Sequence, residues 1–345
     1  MSELAKLAGV SRTTVSRALN DAPEVSATTR DRVTRLAKKH GYQANPMVTA
    51  LMTDVRRRNV QTKRSIIAIA YPTFQDRKWG EGHLANRLYR TGAERRAREL
   101  GYKLEDFPPE LYGGSYKRLS QILYQRGIQA VLVPSIDVKS PPEDISYELD
   151  WDRFAAAGVG FSINNPRNLD RAVVAHFQSV KMALGRIREL GYTRIGFGLC
   201  KRISLRTEGR WLAAYLFDQV NSGGDAPMPP FEFEEGGRNK SRLRDWLRSN
   251  QPEVILGDGI FLDLLKEVGV DIPGKIAFAL LDWFPGDFRR ADYAGVDQRF
   301  ESVGAAAIDL IAGRVNHNER GLNEEQHVLK VSGRWVDGAS LPRKA

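Results

Sequence analysis

Apolar residues recur with a helical period at the start of the chain, and after residue 65 they gather into short runs of strand character. Leu4, Ala5, Leu7 and Ala8 predict the apolar side of a helix over about 3–8, and Gly9 stands where a left-handed C-terminal residue is wanted. Ser11 predicts the N-cap of a second helix over about 12–19, with Val15, Ala18 and Leu19 inward. Pro23 blocks further helix. "VSATTRDRVTRLAKKHGY" predicts a third helix, capped by Ser26, with Val33, Leu36 and Ala37 inward and Gly41 at its end. In "NPMVTALMTDVRRRN", Asn45–Asn59, Pro46 suits a first helical position, and Met47 or Val48, Leu51, Met52 and Val55 form a stripe. A helix of this length is marginal alone in water, so it needs a partner.

From Ser65 onward, "SIIAIAY", "QAVLVP", "GVGFSI", "TRIGFGL", "EVILG" and "KIAFALL" alternate with amphipathic helices, the first over about 84–100. That alternation predicts parallel α/β layers. One fragment repeats, "RARELGYKLEDF" and "RIRELGYTRIGF", each a helix end, a glycine, an aromatic residue and a strand. Two such units suggest two similar lobes, although the pattern is also a common helix-to-strand connection.

The length of 345 residues allows two or three domains, and 42% hydrophobic with 27% charged residues is ordinary globular composition. Cys200, the single cysteine, excludes an intrachain disulfide framework and a cysteine-rich zinc site and suits a reducing compartment. Neither a bilayer-length apolar run nor a signal-peptide hydrophobic region is present, so a cytoplasmic protein without membrane association is expected. Charge alters the picture. Residues 1–64 carry a net +8 and the remainder only +2 of the chain's +10. A basic, capped and periodic segment on a near-neutral body points to nucleic acid rather than to a solubilising tail.

Two helices joined by a glycine turn, with the small Ala5 where they cross, form a helix-turn-helix whose second helix enters the major groove. Arg12, Thr13, Thr14, Ser16, Arg17 and Asn20 are available outward. Arginine grips guanine, asparagine reads adenine, and a threonine methyl meets a thymine methyl. Arg12, Thr13 and Arg17 are the expected base readers, while Ser11 and Ser16 cap and hold phosphate. Ser26 and Thr29, at the start of the third helix, also suit phosphate oxygens. The competing reading is a capped, solvated helical hairpin, which the local charge disfavours.

"AGVS", "TVSRALN", "VSATTRDRV" and "GY..NP" together resemble the DNA-binding head of the lactose-repressor/galactose-repressor (LacI/GalR) family of bacterial transcription regulators. The resemblance implies an all-α helix-turn-helix head over 1–45, a hinge helix and linker over 46–62, and an α/β effector-binding and dimerisation domain over 63–345. That domain is implied to have two Rossmann-like lobes, like periplasmic sugar-binding proteins: lobe one over about 63–175 and 300–328, lobe two over about 176–299 and 329–340. It further implies a homodimer on a palindromic double-stranded DNA operator, Tyr42 and Asn45 in the DNA-binding set, and Leu51 as a wedge in the minor groove. Repression and a nucleoid location are expected.

The family holds a small-molecule effector between its lobes. Position by position, "SLRTEGRW" puts Arg206 at the effector-gripping arginine, "FALLDW" puts Asp282 at a strand-end acid, and "GVDQRFESVG" puts Gln298 at a crossover. "ILGDG" puts Asp258 at another cleft loop. Tyr71, ending the first strand, is placed to stack on a ring. Carboxylates with Arg and Gln suit a hydroxyl-rich ligand such as a sugar or sugar derivative. Gln178 replaces the usual loop acid, and "PTFQDRKWGEGH" with Trp79 and His83 departs from the common first loop, so the effector need not be the usual sugar. No nucleotide, zinc-protease or nucleophile-elbow motif occurs, and the five histidines lack metal-ligand spacing. No cofactor, metal or catalytic residue is expected. The alternative reading is a cytosolic sugar-binding receptor module without a transcriptional role.

Overall fold

Gly9 turns the chain between the first two helices at φ 61°. In the computed structural model, which describes residues 2–19, 25–40, 67–71, 84–134, 147–163, 165–221 and 227–344, the head contains α1 (Ser2–Ala8), α2 (Arg12–Leu19) and α3 (Ala27–Lys39). Its core is Leu4, Ala5, Ala8, Val15, Ala18, Val25, Val33 and Ala37, with Leu19 and Leu36 packed against it. Leu7 departs from expectation and is 49% exposed. Leu4, Ala5 and Ala8 already define the buried direction of α1, and the helical period puts Leu7 roughly 100° away from it. The linker with Leu51 lies outside the described residues, as do Asn20, Tyr42, Asn45, Trp79 and His83.

Short runs of Ala, Val, Ile and Leu form the inner strands of the body, because strands covered on both faces tolerate no alternation. The first sheet contains β1 (Ile67–Tyr71), β2 (Tyr102–Asp106), β3 (Ala130–Val133), β4 (Ala155–Val159), β5 (Arg171–Val174) and β11 (Val328–Val331), in the order β11-β5-β4-β3-β1-β2. All its pairings are parallel. The second sheet contains β6 (Ile195–Cys200), β7 (Phe231–Phe233), β8 (Val254–Gly257), β9 (Ala277–Trp283), β10 (Ala294–Asp297) and β12 (Arg334–Val336), in the order β12-β10-β9-β8-β6-β7. Only β12 is antiparallel to its neighbour. "GVGFSI" was expected to be a strand, but β4 lies earlier, in the alanine run. Gly160 at φ 78° ends the ladder and releases Phe161 into a loop.

Helices cover both sheets: α4 (Leu84–Glu99), α5 (Tyr116–Gln125), α6 (His176–Glu189), α7 (Lys201–Arg206), α8 (Arg210–Asn221), α9 (Asn239–Asn250), α10 (Gly259–Glu267) and α11 (Phe300–His317). α6 follows a strand of the first sheet, yet its Val180, Ala183, Leu184 and Ile187 pack into the core of the second. α11 does the reverse, placing Val303, Ala307, Ile308 and Ile311 in the first core. With Ser332 and Gly333 leading from β11 to β12, the chain passes between the lobes three times. α4 and α11 touch backbone to backbone: a Cβ on Gly92 would lie 1.8 Å from the Glu301 carbonyl oxygen, and one on Gly304 1.9 Å from that of Tyr89. This contact holds Tyr89 edge-on to Phe300, 5.1 Å between ring centroids.

Candidate functional site

The head repeats one device at two helix starts. The Thr14 N–H donates to Ser11 Oγ at 3.0 Å, and the Thr29 N–H donates to Ser26 Oγ at 3.4 Å. The hydroxyls of each pair also bond, at 2.8 and 2.9 Å. Each serine satisfies one of the unpaired N–H groups at a helix start. Both helix starts are exposed and suited to an anion. Ser11, Arg17 and Ser26 are exposed, and Thr14 and Thr29 half-buried. Arg12, Thr13 and Ser16 lie on α2, with side chains outside the description. Arg32, Arg35, Lys38 and Lys39 of α3 are exposed, so the cationic character expected from composition is on the surface.

In the body, the residues proposed for the effector fall into two groups. The first gathers at the C-terminal ends of β8 and β9. Asp258 is fully buried and caps α10: its Oδ2 accepts from the Cys200 N–H and its Oδ1 from the Phe261 N–H, both at 2.7 Å. Both oxygens are thus occupied by backbone N–H groups of the fold. Asp282 is half-buried and accepts from the Gly259 N–H at 3.0 Å. Burial raises the pKa of Asp282, the charge of Asp258 adds to this, and Arg290 opposes it. Arg290 is itself held by Asp263 at 2.8 Å and by the Gly259 carbonyl. Gln298, also fully buried, donates to the Leu281 carbonyl next to Asp282 and accepts from Ser179 Oγ.

Arg206, the last residue of α7, belongs to the second group. Its charge acts on Tyr89 of lobe one and on His176 at the first crossover. Around His176 stand residues that the sequence reading did not select. Its ring lies 5.5 Å from that of Phe161 and 5.2 Å from that of Trp211, while the Arg210 guanidinium covers Phe161 at 4.2 Å. Phe161 follows β4 of the first sheet and Trp211 lies in the first turn of α8 of the second lobe, so the cluster bridges the lobes. Burial and the nearby Arg210 and Arg206 push His176 down to about 3. Gln178, read as the replacement for the loop acid, is exposed; His176, two residues earlier, turns inward. Arg210 and Trp211 were legible as neighbours of Arg206 in "SLRTEGRW", whereas nothing local marks Phe161. Tyr71 ends β1, and its side chain lies outside the description.

Cys200 is fully buried, and burial raises its thiol pKa, the behaviour of a core residue rather than a nucleophile. Among the described residues, no group of His, Cys, Asp and Glu is arranged to hold a metal ion, and no helix is long and apolar enough to cross a membrane.

Residues 1–45 match the sequence model of the bacterial regulatory proteins, lacI family. The match covers the helical head alone. The HTH-type transcriptional regulator AglR of Rhizobium meliloti is 49% identical over 53 residues, 15% of each protein. The catabolite repressor/activator of Escherichia coli K12 is 30% identical over 185 residues, 52% of this chain and 47% of that protein. The chain thus matches at most about half the length of these relatives. The solved complex of the transcriptional regulator CelR with cellobiose shares the fold at a TM-score of 0.56 and 18% identity, covering 96% of this chain and 97% of that one. The helical head and two-lobed α/β body therefore have the fold of that structure.

Proposed function

We propose that this chain is a lacI-family, ligand-responsive transcriptional regulator, a repressor, acting in the cytoplasm as a homodimer on a palindromic operator. The observation that carries the reading is the union of a basic, doubly capped three-helix head with two lobes connected by three crossovers. α2 reads base edges through Arg12, Thr13 and Arg17, with Thr14 and Asn20 beside them. Ser11, Ser16, Ser26 and Thr29 position the head on phosphate, and Tyr42, Asn45 and Leu51 complete the contact from the linker side. The domain division is head 1–45, linker 46–62 and body 63–345. A sugar or sugar derivative binds between the lobes, near Arg206, Asp282, Tyr71 and the crossover at Gln298, with Asp258 acting through its neighbours. Lobe closure changes the spacing of the two heads and so the affinity for DNA.

Titration of the full chain against the promoter nearest its own gene tests this. Salt-dependent, sequence-selective binding is expected, while binding that ignores sequence defeats the reading. Arg206→Ala is expected to keep operator binding and lose the effector response. A normal response in that variant moves the ligand site elsewhere.

A further inference from the structure

The polar atoms around Phe161 are unusual for a buried cluster, because several end without a protein partner. Trp211 is 3% exposed and His176 9% exposed, yet neither Trp211 Nε1 nor His176 Nδ1 makes a hydrogen bond to the protein. Arg210 Nε is buried and unpaired as well. A buried donor with no acceptor carries a desolvation penalty, so such groups concentrate where a ligand completes them. Two of the three, the indole and the guanidinium N–H, can only donate.

The electrostatics point the same way. Both charges acting on His176, Arg210 and Arg206, are positive. Arg171 is buried and donates only weakly to the carbonyls of Leu169, Phe161 and Arg167, each at 3.5 Å. Glu208 is the acid facing these groups. It pairs with Arg210 at 2.5 Å, acts on Arg171, and sits at φ 52°, a left-handed conformation unusual for glutamate. Its one carboxylate bonds Arg210 and reaches Arg171 only through its charge.

We infer that the inter-lobe cleft takes a ligand bearing a negatively charged oxygen group, a phosphate or carboxylate on a polyol, received by Arg210, the Trp211 indole N–H and His176. The inference rests on the proposal that the effector binds between the lobes, and adds the ligand's charge. Guanidinium and indole donors supply charge-assisted bonds to such a group, while neutral His176 offers a donor and an acceptor to the hydroxyls beside it. Glu208 competes with the ligand for Arg210.

The test uses the full chain at constant ionic strength, with Trp fluorescence and calorimetry read against inorganic phosphate, a hexose 6-phosphate, a hexuronate and the neutral hexose. Tighter binding of an anionic sugar than of the hexose is expected, and the two anionic sugars distinguish phosphate from carboxylate. Arg210→Gln should weaken the anionic ligand about tenfold or more, the scale of one charge-assisted hydrogen bond. Glu208→Gln should strengthen it, a change that mere structural damage would not produce. Preference for the neutral hexose, no response to any anionic probe, or indifference of anion binding to both substitutions overturns the inference. A hexose-only response would leave the effector cleft in place without its charge. Anion binding that never alters operator affinity would support the inferred chemistry while removing the regulatory reading.

Discussion

Ser179 and Gln298 meet 2.9 Å apart at the junction of the lobes, one on α6 and the other directly after β10. Both are buried, and the Gln298 amide also donates to the Leu281 carbonyl. The third crossover crowds the same point, since a Cβ on Gly333 would lie 2.9 Å from Ser179 Oγ and 2.7 Å from Val296 Cγ1. One amide therefore ties together segments that would move together in any change of lobe angle.

Gln298→Ala should cost about 1–3 kcal/mol of stability, because it leaves the Leu281 carbonyl and the Ser179 hydroxyl buried without their partner. Urea unfolding measures the loss. If the pair also couples the lobes, the variant's effector response should shrink more than its effector affinity. An unchanged unfolding midpoint would show that the amide is replaceable.

Ser26→Ala removes the cap of α3 and should destabilise the head by about 1 kcal/mol. Thermal unfolding of the head, followed by helix signal, reads this directly. Operator affinity should fall with it, whereas ligand binding by the body should stay at the wild-type level.

Leu51→Ala is expected to weaken specific operator binding and reduce DNA bending while leaving effector affinity intact. Affinity and circular-permutation bending assays on the same operator decide it. Equal bending by variant and wild type counts against the wedge.

His176 titrates below its ordinary range because burial and two arginines disfavour the cation. Its folded pKa of about 3 lies under an unfolded value of about 6.5. Between those values the unfolded chain binds more protons, so this stabilisation is present above pH 6.5 and lost as pH falls toward 3. The slope from this one group reaches at most about 1.4 kcal/mol per pH unit. Denaturant melts of wild type and His176→Phe across this window should diverge in slope. Parallel curves would place His176 in a solvated setting.

Much of the head was legible because its signals are local. Gly9, Ser11 and Ser26 act within a few residues, through turn geometry and side-chain to backbone hydrogen bonds, and the inward residues of α2 and α3 follow the helical period. β3, β6, β8 and β9 were visible for a similar reason, since buried parallel strands are short apolar runs. β11 was not. Val328 and Leu329 are each 37% exposed, so no strong hydrophobic pattern marks the strand.

The sequence by itself determined where helices begin, where strands are apolar, and where positive charge collects, because capping, periodicity and composition need no distant partner. Tertiary structure alone decided the strand order, the three crossovers and the company each polar residue keeps. Asp258 and Asp282 look alike at the ends of their strands. Packing made Asp258 a fully occupied cap and left Asp282 half-buried. Packing likewise brought Phe161, His176 and Trp211 into one cluster, although they are far apart along the chain. Strand pairing and lobe packing satisfy hydrogen bonds and bury surface between distant segments, and that long-range choice is not written in any local pattern.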